Sequence, residues 1–466
     1  MSTARPSADH LGIDLSGLRS QISGPVLSPG ENGFEQEVSG FNLAVRHHPA
    51  LVVAATCEDD VAAAVRFAAV RGLPVAVQAT GHGAVQAADG ALLITTSRMR
   101  ELDVNPLART ARIGAGCTWT EVVAAASAYD LAPLCGSATS VGVVGFTLGG
   151  GVGPIARTFG FAADHVREIT VVTADGIVRT VDAGREPDLF WALRGGKGSF
   201  GVVTSITVDL FPVTTLYAGG LYYAADDAAR VLHAYRTWTG TLPESSTTSV
   251  ALLRLPPLPE LPPQLRGRFV VHLRFAHLGD AQEAEGLLAP MRAVAEPVLD
   301  TIGHLPYTAI DSIHNDPVAP MPVYERGGSL RELTEDTVEA LLAVAGPSAE
   351  IPLAVVELRQ LGGALARAPK EPNAVGGRDA AFSLLVIGAP VPELMEMVVP
   401  ASVQAVIGAL APWSASSTLI NFQGGDLSPE RISRAWPEPV LRKLVELKGL
   451  YDPAGLFRFG HVVPRG

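Results

Sequence analysis

The segment between residues 51 and 83 constrains the fold of this chain more than any other. Leu51–Ala55 has the apolar composition of a short strand, Thr56–Arg71 carries apolar residues at helical spacing, and Pro74–Val77 predicts a second strand. This β-α-β unit delivers the chain to the turn Gly81-His82-Gly83. Glycines allow the backbone to approach a ligand closely, and a neutral imidazole is a nucleophile. The turn is therefore a candidate binding site, although a Gly-His pair taken alone more often belongs to an ordinary hydrogen-bonded turn.

A second unit of strands and helices follows this turn. Thr110–Gly114 predicts a strand, and Thr118-Trp119-Thr120-Glu121 has the spacing of a capping box that opens a helix. Thr56 and Asp59 have the same spacing at the start of the earlier helix. Farther along, apolar runs on both sides of Asp175-Gly176 predict a hairpin, because Asp-Gly favours the tight turns that join antiparallel strands.

A glycine cluster at 142–153 invites three interpretations as a phosphate site. Gly151–Ala156 fits the GxGxxA pattern of dinucleotide-binding folds, but the apolar strand that this pattern requires is missing upstream. Gly195–Ser199 resembles a P-loop, but Lys197 is followed by glycine where Ser or Thr is needed. The third interpretation is an extended loop whose bare amides line a pyrophosphate, and glycines suit it because a Cβ would block the backbone's approach.

Composition narrows the partners of the chain. The 466 residues carry a net charge of -12, which argues against a nucleic-acid or anionic-membrane partner. Three cysteines, Cys57, Cys117 and Cys135, form no CxxC motif and exclude a disulfide framework or a zinc site of the usual spacing, so we expect no metal. We find no apolar run long enough for a membrane span or a signal peptide, and we therefore expect a cytoplasmic protein.

An ordered series of motifs runs through the chain. It comprises His82 after its strand and glycine, Val141-Gly142-x-x-Gly145 leading to Gly149-Gly150-Gly151-x-Gly153, Glu186-Pro187-Asp188-Leu189-Phe190-Trp191-Ala192-Leu193-Arg194-Gly195-Gly196, Phe200-Gly201-Val202-Val203-Thr204, Asn421-Phe422, and Tyr451-Asp452-Pro453-x-x-x-Phe457-Arg458. From about residue 40 onwards, the chain resembles the berberine-bridge-enzyme-like FAD-linked oxidases. These enzymes share the flavin domain of vanillyl-alcohol oxidase and p-cresol methylhydroxylase (PCMH). The order of the motifs is specific for fold and cofactor, and only weakly specific for substrate.

The resemblance implies an α+β fold with a two-lobed PCMH-type FAD-binding domain and an antiparallel-sheet substrate domain backed by helices. We expect a lead-in at 1–44, the FAD-binding domain at 45–213, the substrate domain at 214–418, and a C-terminal segment at 419–466 that returns to the FAD-binding domain. In the substrate domain the patterns predict strands at 268–275 and 352–361 and helices at 226–238, 280–294, 334–344 and 392–410.

The resemblance also implies which residues hold the cofactor. His82 would bond to the 8α-methyl group of FAD. The other cofactor-binding residues would be Thr80, Gly81, Gly83, Val141, Gly142, Gly145, Gly149, Gly201, Val203, Asn421 and Phe422. Doubly tethered relatives carry a cysteine three residues before the valine, but this chain has Ala138 there, and Cys135 is in the wrong register. We therefore expect a single covalent link.

The catalytic base is less clear from the sequence. Relatives often have tyrosine at the ends of a Tyr-x-Asn-Tyr run, whereas Leu419-Ile420-Asn421-Phe422 has none. Alternation in the strand at 352–361 places Glu357 and Arg359 on one face, where the glutamate is either half of a surface pair or a base that faces the substrate cavity. The resemblance favours Glu357 as the base, with Tyr324 and Tyr307 as secondary candidates.

The expected reaction is oxidation of a small molecule, an alcohol or a secondary-metabolite intermediate, by hydride transfer to flavin N5. O2 would reoxidise the flavin and give H2O2, since Val141 resembles the small gatekeeper residue of oxygen-using relatives. Three alternatives remain open: a sugar or oligosaccharide oxidase, a flavin-dependent cyclase or monooxygenase-like enzyme, and a non-redox flavoprotein that only binds or folds a ligand. We expect a monomer or a homodimer.

Overall fold

A computed structural model describes residues 14–465 of the chain. Within those residues, seventeen strands form three sheets of four, five and eight strands. Fourteen α-helices pack between and around the sheets. The fold is therefore a mixture of helix and sheet in which the largest sheet is antiparallel throughout.

The first sheet contains the β-α-β unit predicted at residues 51–77. Its strands are β1 (Val26–Leu27), β2 (Leu51–Ala54), β3 (Val75–Gln78) and β4 (Leu92–Thr95), in the order β1-β2-β4-β3. Strands β2, β3 and β4 are parallel to one another, and β1 is antiparallel to β2. The accompanying helices are α1 (Ser16–Arg19), α2 (Phe34–Val38) and α3 (Glu58–Arg71). Because β3 ends at Gln78, the sheet places the glycine–histidine turn at its carboxyl edge.

The predicted capping box of Thr56 and Asp59 is wrong, because helix α3 begins at Glu58 with Cys57 as its N-cap. The carboxylate of Asp60 instead accepts hydrogen bonds from the amides of Thr56, at 2.9 Å, and Ser23, at 2.7 Å. This contact with the N-terminal segment could not be read from local spacing.

The second sheet is antiparallel. Its strands are β5 (Leu102–Asn105), β6 (Thr110–Gly114), β7 (Val166–Val172), β8 (Val178–Val181) and β9 (Val202–Asp209), in the order β5-β6-β9-β7-β8. The associated helices are α4 (Trp119–Ser127), α5 (Val143–Leu148), α6 (Ala156–Phe159) and α7 (Pro187–Leu193). The capping box at α4 is confirmed, since the amide of Thr118 donates to the carboxylate of Glu121 at 2.8 Å. The Asp175-Gly176 hairpin is also confirmed as the β7–β8 connection.

The third sheet is formed entirely by residues 215–388. Its strands are β10 (Thr215–Ala224), β11 (Ser246–Arg254), β12 (Phe269–His277), β13 (Leu299–Asp300), β14 (Gly303–Pro306), β15 (Glu325–Leu330), β16 (Leu353–Gln360) and β17 (Phe382–Gly388). The order is β13-β10-β12-β11-β16-β17-β15, with β14 also paired to β10. The helices are α8 (Ala228–Trp238), α9 (Ala281–Val294), α10 (Glu335–Ala345), α11 (Pro392–Met395) and α12 (Val398–Leu410), so the helix predicted over 392–410 is interrupted.

The two faces of the third sheet differ in chemistry. One face is apolar and shares a buried cluster with helices α8, α9, α10 and α12, to which β16 contributes Val356 and Leu358. The other face carries Glu357 and Arg359 of the same strand, because neighbouring side chains alternate across a strand. This polar face meets the glycine-rich loop, as a cavity of about 10 Å³ is lined by Gly153 together with Arg359.

The C-terminal segment packs against the first sheet. It contains α13 (Pro429–Ser433) and α14 (Glu438–Tyr451). The ammonium of Lys448 donates to the carboxylate of Asp452 at 2.6 Å and to the carbonyl of Phe457 at 2.7 Å. The amide of Val75 at the start of β3 donates to the carbonyl of Leu456 at 2.9 Å. The tail after α14 is thereby fixed beside β3.

Candidate active site

The ring of His82 is held on three sides. It stacks on Phe41, with ring centroids 3.9 Å apart and planes inclined by 12°. Its Nδ1 lies 2.9 Å from the hydroxyl of Thr80, and its Nε2 lies 3.4 Å from the hydroxyl of Ser140. These three contacts fix the orientation of the imidazole.

Burial lowers the pKa of His82 to about 4. The imidazole is consequently neutral at physiological pH, and its nitrogen lone pair is available. A neutral, oriented imidazole has the chemistry that a covalent bond to an electrophilic cofactor carbon needs. The sequence did not reveal Phe41 as a partner, because its only local signal is an aromatic residue in a polar lead-in.

The turn before His82 requires glycine for reasons of space and backbone geometry. Gly81 has a φ of +75°, in the left-handed region. A Cβ added at Gly81 would lie 2.6 Å from the Cα of Gly40. The amide of Phe41 donates to the carbonyl of Thr80 at 2.9 Å, which brings the two segments together. By contrast, a Cβ at Gly83 would meet no atom within 4 Å, so that position is open.

The segment Val141-Gly142 lies beside this turn. A Cβ at Gly142 would approach the hydroxyl of Thr80 to 3.5 Å, an ordinary contact. The carbonyl of Val141 accepts from the amide of Trp119 at 3.1 Å, which ties the segment to the start of α4. The second glycine motif is therefore adjacent to the His82 turn, although the two are about sixty residues apart in sequence.

Helix α5 and the C-terminal motif meet at Asn421. The side-chain amide of Asn421 donates to the carbonyl of Phe146 at 2.9 Å. A Cβ at Gly149 would lie 2.0 Å from Oδ1 of Asn421, so only glycine fits there. Gly145 on the same helix faces open space, since a Cβ added there would meet no atom within 4 Å. The adjoining Phe422 packs beside the glycine-rich loop.

These residues fit a flavin. Oδ1 of Asn421 is buried without a hydrogen-bond partner, and such an atom is costly unless a ligand or water satisfies it. Gly145 offers an open backbone surface, flanked by Gly142 next to Thr80 and by Gly149 next to Asn421 and Lys197. His82 adds a neutral nucleophile at the rim of the same region. Together they provide the contacts that a planar cofactor with hydrogen-bonding edges would need.

Two predicted cofactor residues have structural duties of their own. A Cβ at Gly201 would lie 2.5 Å from the carbonyl of Val172, so glycine permits close approach of strands β9 and β7. Val203 is 4 % exposed and belongs to the apolar core of the second sheet. A contact of either residue with a cofactor stays a prediction.

Glu357 lies in a buried cluster of charges on the polar face of the third sheet. Its carboxylate accepts from Arg274 at 3.0 Å and from Arg359 at 3.2 Å. Nε2 of His314 is 3.8 Å away, and His272 accepts from Arg274 at 3.1 Å. Although burial opposes its ionisation, the two guanidinium groups lower the pKa of Glu357 to about 2. The carboxylate is therefore permanently charged and a weak proton acceptor.

The two candidate tyrosines are held away from an obvious catalytic position. Tyr324 packs against the helix-backed core, and its hydroxyl accepts from Nε of Arg326 at 3.2 Å. Tyr307 is buried with its hydroxyl donating to the carbonyl of Pro133. Cys135 lies 3.4 Å from the same hydroxyl, and burial raises the pKa of its thiol to about 12. These contacts are those of packing residues.

Sequence reasoning missed a second carboxylate on the polar face. Glu325 is the first residue of β15 and lies on the same face as Gly327. Gly327 is opposite Leu385 of β17, and Leu385 is opposite Glu357 of β16, so Glu325 and Glu357 lie on the same face of the sheet. Lys197, in the loop after α7, places its Nζ 3.4 Å from the carbonyl of Gly145, and its charge lowers the pKa of Glu325 against the effect of burial. Local patterns could not find this pair, because its members are 128 positions apart and each looks like an ordinary surface charge.

Over residues 14–465, no helix is long and apolar enough to cross a membrane. The same residues hold no cluster of three or more His, Cys, Asp or Glu side chains with the geometry of a metal site. The adjacent histidines His47 and His48 have different contacts. Nε2 of His47 lies 3.0 Å from the side chain of Gln78, whereas His48 contacts Asp89 at the surface.

Comparison with known proteins gives consistent matches. Residues 49–182 match a family model described as an FAD binding domain. The chain is 25% identical to an uncharacterized FAD-linked oxidoreductase, YgaK of Bacillus subtilis, over 96% of this chain and 98% of that protein. It is 28% identical to (R)-6-hydroxynicotine oxidase of Paenarthrobacter nicotinovorans over 63% of each chain. The structure of BBE-like 1 from Physcomitrella patens superposes with a TM-score of 0.84 at 19% identity, covering 97% of this chain and 100% of that one.

Proposed function

We propose that this chain, an FAD-linked oxidoreductase with the PCMH-type fold, is an oxidase that removes a hydride from a small molecule and returns the electrons to O2. The observation that carries the proposal is the neutral, oriented imidazole of His82 in the same region as the open backbone of Gly145. An alcohol or a secondary-metabolite intermediate is the expected substrate. The relatives named FAD-linked oxidoreductase and 6-hydroxynicotine oxidase agree with this class of reaction.

The residues that would hold FAD divide into two groups. His82 would form the one covalent link, to the 8α-methyl group, since Ala138 offers no thiol for a second link. Gly145 would lie against the cofactor without a side chain in between, and Gly142 and Gly149 would flank it next to Thr80 and Asn421. Asn421 would use its unpartnered Oδ1 toward a cofactor N–H. The bound FAD would supply hydride acceptance and the reaction with O2.

The polar face of the third sheet would bind the substrate. Arg274 and Arg359 share one carboxylate, and the pKa values of His272 and His314 are lowered well below their usual range by burial and by the arginines. The cluster therefore keeps one net positive charge, which favours a substrate with an electron-rich oxygen. We assign Glu357 to positioning these arginines. A direct catalytic role for Glu357, or for Tyr324 next to Glu325, is the alternative proposal.

The covalent link is tested on the purified protein. We expect a flavin absorption spectrum, and we expect the yellow colour to stay with the protein after acid precipitation. His82→Ala should release the flavin to the supernatant, whereas the exposed control His48→Ala should retain it. A His82→Ala pellet that keeps its colour would contradict the assignment, because the link would then lie elsewhere.

Oxidase activity is tested in two steps. After chemical reduction under nitrogen, the flavin should regain its oxidised spectrum rapidly on mixing with air. A screen of alcohols, (R)-6-hydroxynicotine and short oligosaccharides for H2O2 release would then identify the substrate class. Release from oligosaccharides alone would replace the proposed class by the sugar oxidase. Slow reoxidation without H2O2 would favour a dehydrogenase or a non-redox flavoprotein.

A further inference from the structure

We propose that Glu325 and Lys197 form the proton-accepting pair of this active site, with Glu325 as the group that takes the substrate's proton. This inference rests on the proposed function and deepens it by naming a catalytic residue. Neither residue belongs to the motifs that identify the flavin domain.

Lys197 is directed into the site by an unusual backbone conformation. Its φ is +56°, in the left-handed region that a lysine enters at a cost of about 1–2 kcal/mol. The side chain runs along the glycine surface of α5, since a Cβ at Gly149 would lie 2.9 Å from Cε of Lys197. Its Nζ reaches the carbonyl of Gly145 at 3.4 Å. A strained residue whose charge lies on the proposed cofactor surface indicates a function rather than a packing role.

Glu325 lies next to the segment that follows Asn421, because a Cβ at Gly424 would overlap the carbonyl of Glu325. It stands at the first position of β15, on the polar face of the sheet. The amide of Val323, just before this strand, donates to the side chain of Asn42 at 2.9 Å. Asn42 in turn donates to the carbonyl of Ala84, at 3.1 Å, beside the His82 turn. The strand that carries Glu325 is thus tied to the loop that carries His82.

The other charged or titratable groups near Glu325 and Lys197 have partners of their own or are neutral. The carboxylate of Asp426 accepts from Arg326 at 2.8 Å, so these charges compensate each other. Arg431 donates to the carbonyl of Gly327. His461 lies 2.7 Å from the carbonyl of Gly424, and burial lowers its pKa to about 4, so it is neutral. Lys197 and Glu325 are therefore each other's main titrating neighbours.

The pKa values of the two groups converge near neutrality. Burial raises the pKa of Glu325 to about 7, and the nearby Lys197 charge opposes this rise. Burial likewise lowers the pKa of Lys197 to about 8, against the attraction of Glu325. Both residues are half-buried rather than fully buried. A carboxylate with a pKa close to the working pH is suited to general base catalysis.

The proton step balances for an alcohol. The substrate O–H bond breaks, its proton forms an O–H bond on Glu325, and the electron pair left on oxygen becomes part of the new C=O bond. The hydrogen on carbon leaves as hydride with its two electrons to FAD, and O2 is the final electron acceptor. The ammonium of Lys197 stabilises the carboxylate before the transfer and favours return of the proton to solvent afterwards.

The pair is tested first by chemical labelling of lysine, which needs neither substrate nor turnover. The chain has only four lysines, at positions 197, 370, 443 and 448. Acetic anhydride labelling between pH 6 and 10, followed by peptide mass spectrometry, gives the titration midpoint of Lys197, with exposed Lys370 as reference. We expect a midpoint near pH 8. In Glu325→Gln it should fall by roughly one unit, because the ammonium loses its counter-charge.

Controls separate this effect from misfolding. The exposed Glu332→Gln, just after the same strand, should leave the Lys197 midpoint unchanged. Lys448 is buried with Asp452, so it should resist labelling in every folded variant. An ordinary Lys197 midpoint, or one that Glu325→Gln does not move, would overturn the pair. If Glu325→Gln exposes Lys448, then Glu325→Asp, which keeps the charge, replaces it and should retain the midpoint.

A second readout places the pair at the cofactor. The visible spectrum of the bound flavin should shift with a midpoint between pH 7 and 8, and Lys197→Met should move that midpoint to higher pH, because Glu325 loses the charge that opposes the rise of its pKa. A flavoprotein whose spectrum is silent in this range would overturn the inference and leave the proposed function intact. A protein that binds no flavin would overturn both.

Discussion

The two carboxylates on the polar face of the third sheet have the same side chain and opposite surroundings. Glu357 receives two guanidinium groups, and its pKa is lowered to about 2. Glu325 has one lysine at longer range, and its pKa is raised to about 7. Two strand spacings and two residues of rise separate them by about 12 Å. Glu357 is buried and Glu325 is half-buried, yet it is the half-buried carboxylate whose pKa is raised, so burial alone cannot explain the difference.

Counter-charge decides the role of a desolvated carboxylate in this protein. Desolvation acts on both groups and favours the neutral form. At Glu357 the direct ion pairs exceed this effect, and the carboxylate becomes a fixed anchor for Arg274 and Arg359. At Glu325 desolvation wins, and the group can exchange a proton near neutral pH. The motif resemblance drew attention to Glu357, but the electrostatics favour Glu325 for proton transfer.

The largest expected effect is on turnover. Glu325→Gln should lower kcat/KM by about 10²–10⁴, because general base catalysis typically contributes that much. The ascending limb of the pH profile near pH 7 should also disappear. The measurement is anaerobic flavin reduction by the first substrate that the H2O2 screen identifies. A loss confined to KM, with the limb retained, would show that Glu325 only binds substrate.

The next largest effect is on stability, and here Glu357 rather than Glu325 is the more sensitive position. Glu357→Leu should lower the free energy of unfolding by about 3–5 kcal/mol, because two buried guanidinium groups lose their carboxylate. Glu325→Leu should cost far less, since it removes a carboxylate whose charge acts on one lysine at longer range rather than one held by two guanidinium groups. Urea unfolding followed by circular dichroism measures both. Equal losses at the two positions would contradict the proposed contrast.

The pH dependence of stability should carry opposite signs at the two sites. The folded-state pKa of Glu357 is depressed, so its stabilisation is present above about pH 4.5 and is lost as the pH falls toward 2. The folded-state pKa of Glu325 is raised, so the folded state holds the extra proton and stability falls as the pH rises from 4.5 to 7. Thermal unfolding of Glu357→Gln and Glu325→Gln should each lose the matching slope. Identical profiles of stability against pH for the two variants would contradict the proposed difference between Glu357 and Glu325.

The smallest effect concerns the backbone of Lys197. Lys197→Gly should stabilise the fold by about 1 kcal/mol, because glycine adopts a φ of +56° without strain and a desolvated charge is removed. Lys197→Ala, which keeps the strain, serves as the matched control. Stabilisation of both variants alike would locate the cost in the charge rather than in the backbone.

The sequence predicted much of the fold. The strand–helix–strand unit, the Thr118–Glu121 capping box and the Asp175-Gly176 hairpin depend on neighbouring residues, and each is confirmed. The predicted capping box of Thr56 and Asp59 at the start of α3 was wrong. The carboxylate of Asp60 accepts hydrogen bonds from the amides of Ser23 and Thr56 instead, and Ser23 is distant in sequence. Several strands of the third sheet were not predicted. Strands such as β11 and β12 are buried along almost their whole length, so apolar and polar residues do not alternate clearly in them.

The fold and the cofactor class could be predicted from the sequence, which also drew attention to His82, because glycine motifs and local spacing are properties of short segments. The surroundings of each ionisable group depend on the tertiary structure and could not be predicted from the sequence. Phe41 against His82, two arginines on Glu357, and Lys197 facing Glu325 all join residues distant in sequence. A pKa depends on burial and on charges within a few ångströms, and these distances exist only after the chain has folded.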